Sequence, residues 1–115
     1  MKDIQIDIDK KLRPGQEFRG AITVRYSGSY DSISLNTQIL DSNELMLFTS
    51  CNGKKMSSRS SRLFISRDSM PDNRAEFSAM VTFEPKKSHE VKFRASIIEQ
   101  HKEVESDVVF CVLEP

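Results

Sequence analysis

Ile4-Gln5-Ile6-Asp7-Ile8, then Leu12-Arg13-Pro14-Gly15-Gln16-Glu17, then Phe18-Arg19-Gly20-Ala21-Ile22-Thr23-Val24: these stretches decide the fold. In the first, isoleucine alternates with Gln and Asp, the pattern of a strand with one face toward a core and one toward water. Pro14-Gly15 sets a turn, because proline fixes φ and glycine accepts the positive φ of the next position. In the third, Phe18, Gly20, Ile22, Val24 and Tyr26 share one face, opposite Arg19, Ala21, Thr23 and Arg25.

The same period of two recurs along the chain. Ile33, Leu35, Thr37 and Ile39 form one set, Phe77, Ala79, Val81 and Phe83 another, and Val91, Phe93, Ala95 and Ile97 a third. Glu44 to Cys51 reads as a more continuously apolar strand. Asp107 to Leu113 is apolar on both faces, which predicts a central strand or one whose second face is covered. Ser27-Gly28-Ser29, Asp41-Ser42-Asn43 and Asn52-Gly53 supply the turns between them. No segment carries a helical period. Seven or eight short strands with turns between them predict an all-β, antiparallel, immunoglobulin-like β-sandwich, with an up-and-down barrel as the rival. At 115 residues, one domain over positions 1–115 is expected.

Composition narrows the function. Seventeen basic and 17 acidic residues leave no formal net charge, so no long-range field steers the chain to nucleic acid or an anionic membrane. The first residues lack the apolar core of a signal peptide, and no run is long enough to insert in a bilayer. Cys51 and Cys111 belong to no CxxC pair and are too few for a disulfide scaffold. The expectation is a cytoplasmic protein with reduced, mostly buried thiols.

The run from Ile4 to Leu40 resembles the opening of the arrestin-like β-sandwich superfamily. The resemblance is carried by Ile4-Ile6-Ile8, Pro14-Gly15-Gln16-Glu17, Gly20-Ala21-Ile22-Thr23-Val24 and Ile33-Ser34-Leu35. Arrestins and their relatives carry two such sandwiches, and this chain has the length of one. The resemblance implies a non-catalytic adaptor or scaffold that binds other proteins.

The chemical motifs agree. There is no G-x-S-x-G elbow, and both cysteines sit inside strand patterns, so no catalytic residue and no cofactor is assigned. A metal-binding alternative uses His101 with Glu99 and Glu103, which would share a face if Glu99 to Glu105 were one strand. The plainer reading makes Gln100 to Glu103 a hairpin tip. From Lys54 to Arg74, six basic residues stand against Asp68 and Asp72. Arg59, Arg62 and Arg67 are the candidate binding residues of this segment, read as a basic loop. Met46 and Phe48, with Leu40, form a candidate apolar contact patch if the third and fourth strands keep register. The leading expectation is a β-sandwich acting through protein–protein contact, with a second copy as one partner, and without nucleic acid or membrane insertion.

Overall fold

The computed structural model describes residues 2–115, as ten strands. They are β1 (Ile4–Ile8), β2 (Lys11–Leu12), β3 (Phe18–Val24), β4 (Ser32–Ile39), β5 (Met46–Cys51), β6 (Lys54–Ser60), β7 (Arg62–Ser66), β8 (Arg74–Met80), β9 (His89–Glu99) and β10 (Lys102–Leu113). Two five-stranded sheets face each other, one ordered β1-β3-β8-β5-β6 and the other β2-β10-β9-β4-β7. All pairings are antiparallel except β2 with β10. The all-β sandwich expected from the alternation is the architecture of the chain.

The inward rows are those set by the period of two. Ile4, Ile22, Ile33, Leu35, Phe77, Val91, Phe93 and Ile97 are buried. Phe93 of the second sheet meets Phe18 edge-on at 6.1 Å and Phe77 at 6.5 Å, and Phe77 meets Phe48 at 6.2 Å. These four rings tie the layers together, each contact adding geometric preference to the area it withdraws from water.

Gly20 lies in the inward row of β3, opposite Phe77 on β8. A Cβ there would overlap the far end of the Phe77 ring, so the absence of a side chain is what gives the ring tip its space over β3. Gly20→Ala is expected to lower stability by about 1.5 kcal/mol, or roughly 6 °C in melting temperature. Thermal unfolding followed by circular dichroism checks this, and Gly20→Ala with Phe77→Leu should recover part of the loss.

Two strands beyond the expected seven or eight arise where the chain changes sheets. After β1 the backbone crosses at Asp9-Lys10 and runs as β2 beside the end of β10, where Lys10 O accepts from Val112 N–H at 2.7 Å. After β6 it crosses at Ser61, whose carbonyl accepts from Thr37 N–H at 2.9 Å, and continues as β7. The segment read as a basic loop is therefore largely strand. β6 is an edge strand bonded on one side to β5, and its polar sequence lacks alternation because it buries little.

The seam beside β1 is closed by side chains. Asp107 on β10 is buried, and its carboxylate accepts from Ile6 N–H at 2.9 Å and from Lys2 Nζ at 2.7 Å. Glu105 accepts from Asp3 N–H at 3.1 Å. Backbone donors on the open edge of the first sheet are thus satisfied by carboxylates from the second.

Candidate functional site

Met46 and Phe48 do not form a surface patch. They are 1% and 0% exposed and belong to the core, which corrects the expectation that they face outward. That expectation required β4 and β5 to be neighbours in register. Instead β4 lies in the second sheet and β5 in the first, so the connection between them resets which residues point inward. Leu40 is half-buried just beyond β4.

The three arginines are exposed but dispersed. Arg59 on edge strand β6 donates to the hydroxyl of Thr82. Arg62 opens β7 on the other sheet, where its Nε donates to Asn36 Oδ1 at 2.8 Å and its guanidinium lies 5.6 Å from the Phe64 ring. Arg67 sits past the far end of β7, stacked 4.6 Å over the Tyr30 ring. Five residue steps along extended chain separate Arg62 from Arg67, about 17 Å. They do not converge on one anion.

Nor do Glu99, His101 and Glu103 converge. Gln100 and His101 have φ of 51° and 65°, the positive values of a two-residue hairpin turn, and Glu99 pairs directly with Lys102. Glu99 accepts from Tyr26 Oη at 2.8 Å, a bond that, with burial, raises the phenol above its ordinary pKa. Glu103 pairs with Arg94. Among the described residues, no group of three or more His, Cys, Asp and Glu is arranged to hold a metal. His89 is buried, with Nδ1 2.8 Å from Leu40 O and its ring edge-on to Phe83. Burial raises the thiols of Cys51 and Cys111 away from thiolate, and both are free.

The outer face of the second sheet is different. β10 is neither central nor covered: only the two residues of β2 lie beyond it, and Val108, Phe110 and Val112 are 37%, 49% and 39% exposed. They form one apolar lane on the penultimate strand. The register places a basic lane beside it, with Val108 opposite Arg94 and Phe110 opposite Lys92. Across β9, Lys92 pairs with Gln38 and Arg94 with Asn36, and Asn36 pairs in turn with Arg62 on β7. Asn36, Gln38, Ser61, Arg62, Lys92 and Arg94 line a shallow depression of about 420 Å³. Phe64, 62% exposed, stands on β7 on its far side.

The two-sided apolarity of Asp107 to Leu113 is visible in the sequence, but the openness of its outer row is not. The signal that β10 is nearly an edge lies in β2, whose Lys11-Leu12 is too short to carry a pattern. The corresponding face of the first sheet has another character. Its depression, about 650 Å³, is lined by Asp7, Asp9 and Glu76 as well as Arg19 and Arg74, and Arg74 is already paired with Glu76 at 3.2 Å.

No protein-family model matches the sequence, and no curated protein matches it. Solved structures do resemble the fold. The human F-spondin reeler domain superposes with a TM-score of 0.62 at 10% identity, over 98% of this chain and 93% of that one. A conjugative transposon lipoprotein from Bacteroides eggerthii gives 0.58 at 6% identity, over the whole of both chains. The enterotoxigenic E. coli CFA/I adhesin gives 0.60 at 12% identity; the match covers 96% of this chain but 48% of the adhesin. At these identities the likeness is one of fold: an immunoglobulin-like β-sandwich.

Proposed function

We propose that the domain is a non-catalytic recognition module, an adaptor or scaffold, that engages another protein through the outer face of its second sheet. The observation that carries this is the exposed lane of Val108, Phe110 and Val112 on β10. Covering the half-exposed Phe110 ring would withdraw roughly 100 Å² from water, worth at most about 2.5 kcal/mol. Three such side chains make a small contact, suited to reversible association rather than a permanent interface. The reading also draws support from sandwich neighbours that include an adhesin, which lends a precedent for binding.

The arrestin-like relationship remains part of the proposal. It rests on the Ile4 to Leu40 pattern, in which Gly15 takes φ of 76° and donates its N–H to Val81 O at 2.8 Å. Free Cys51 and Cys111 favour a reducing, cytoplasmic setting. No helix among the described residues is long and apolar enough to cross a membrane.

A photo-crosslinking residue placed at Phe110 tests the reading against one at Lys55 on β6. In cells that express the protein, a discrete protein adduct is expected at Phe110 and not at Lys55. Val108→Glu with Val112→Glu should remove it while leaving stability within about 0.5 kcal/mol, as for exposed positions generally. Equal adducts from both sites, or an adduct indifferent to the glutamates, would defeat the proposal. Light scattering on the purified chain separates a second copy from a different partner.

A further inference from the structure

We infer that the partner segment is acidic as well as apolar: an extended stretch of polypeptide whose carboxylates settle over Lys92, Arg94 and Arg62. This rests on the reading that the second sheet supplies the contact face, and it concerns the basic lane rather than the apolar one.

Charge complementarity selects the occupant. The outer row of the second sheet carries Lys11, Arg62, Lys92 and Arg94 against Glu90 and Glu103, and Glu103 is engaged by Arg94. Among the described residues neither Lys92 nor Arg62 has an acidic partner. Arg62 is held in place instead by neutral Asn36 and by the face of Phe64, which leaves part of its guanidinium fork facing solvent. A guanidinium fixed in this way recognises a carboxylate through paired N–H donors, at less cost in lost freedom than a mobile lysine.

The spacing suits an extended chain. Lys92 and Arg94 are alternate residues of β9, so their side chains emerge on one face about 6.7 Å apart. Alternate side chains of an extended ligand have the same interval. A segment laid over the seam between β9 and β10, with its pleat parallel to the sheet, sends one row of side chains toward β9 and the other toward β10. Acidic residues at every second position then meet Lys92 and the Arg94 donors that Glu103 leaves free, while the apolar residues between them lie over Val108 and Phe110.

Other occupants fit less well. A second copy packed face to face would set this basic lane against its own image, with like charges opposed. A polyanion such as nucleic acid would find few aromatic stacking partners and would meet Glu90, and it gains nothing from a lane of valines. A segment combining acid and hydrocarbon uses both lanes.

The test is titration of the isotope-labelled domain with an acetylated and amidated Glu-Leu-Glu-Phe-Glu-Leu-Glu peptide, followed by amide chemical shifts. Its isostere with Gln in place of Glu is the control. The expected result is shifts confined to β4, β9 and β10, binding weakened at least tenfold by Lys92→Glu with Arg62→Glu, and further weakening as salt is raised. Equal binding of the Gln peptide, or no change in the charge-reversed variant, overturns the acidic assignment. Loss on Phe110→Ser in that case leaves the contact face itself standing. No shifts with either peptide at millimolar concentration overturns it too. Tighter binding of inorganic polyphosphate than of the peptide would make the lane a general anion site and end the proposal. A wild-type dimer that dissociates on Phe110→Ser would assign the face to a second copy, with the same consequence.

Discussion

Phe48→Asp is expected to yield a chain that does not fold. Phe48 is fully buried in β5, with its ring 6.2 Å from Phe77. A carboxylate there would lose its hydration without gaining a partner, and the space left by the ring would add a cavity penalty. The combined cost exceeds about 4 kcal/mol, comparable with the whole stability of a domain of this size. Far-ultraviolet circular dichroism and a urea titration would show a broad or absent transition, and Met46→Asp should behave alike. Leu45→Asp is the control: Leu45, one residue before β5, is 40% exposed, and its variant should unfold within about 0.5 kcal/mol of wild type. A folded, soluble Phe48→Asp protein would mean that β5 presents its other face to the core.

Asp107→Ala is expected to destabilise the domain by about 2 kcal/mol, chiefly because Ile6 N–H is left buried without an acceptor. Lys2 adds little, since it is 62% exposed and its attraction is screened by water and salt. The pH dependence is more diagnostic than the size. Burial alone would push the Asp107 carboxyl upward, but bonds from Lys2 and from the N–H groups of Ile6 and Val108 outweigh it and hold the group below its ordinary 3.8. A group depressed in the folded state contributes stability that is present above its unfolded pKa and is lost as pH falls through the folded value. The stability gap between wild type and Asp107→Asn should therefore be constant near neutrality and narrow below about pH 4. Urea midpoints between pH 7 and pH 2.5 measure it. A gap that stays constant down to pH 2.5 would show that the carboxylate's charge is not what joins the sheets.

The alternation that defined β1, β3, β4, β8 and β9 reports directly on packing. Each of those strands has one row against the other sheet and one row toward water or polar neighbours, so Ile4, Ile6, Ile22, Ile33, Leu35, Phe77, Val91 and Phe93 could be assigned to the core from period alone. β6 escaped because an edge strand of Lys, Ser and Arg buries no continuous row, and its ladder is made by backbone groups that any residue carries. The inward direction of Met46 and Phe48 is hidden from the sequence for a topological reason. Period gives phase within a strand, but the sheet a strand joins depends on contacts distant in sequence, here β5 with β8. The face proposed for binding is half legible for the same reason. Val108, Phe110 and Val112 showed an apolar row facing away from Cys111 and Leu113, but their exposure depends on a two-residue strand far away at the other end of the chain. Lys92, Arg94 and Arg62 are brought together only by the register of β9, β4 and β7.

The parallel pairing of β2 with β10 bears on how the domain carries load. Lys10 O accepts from Val112 N–H and Leu12 O from Glu114 N–H, so the first and last strands of the second sheet are joined directly. Because these strands run the same way, tension between the two ends of the chain pulls them past one another lengthwise. The bonds then share the force at the same moment instead of parting in turn as in a zipper. A partner that grips the face of β10 while the chain is tethered through β1 would load the β2–β10 pairing in shear, the geometry in which its bonds resist together.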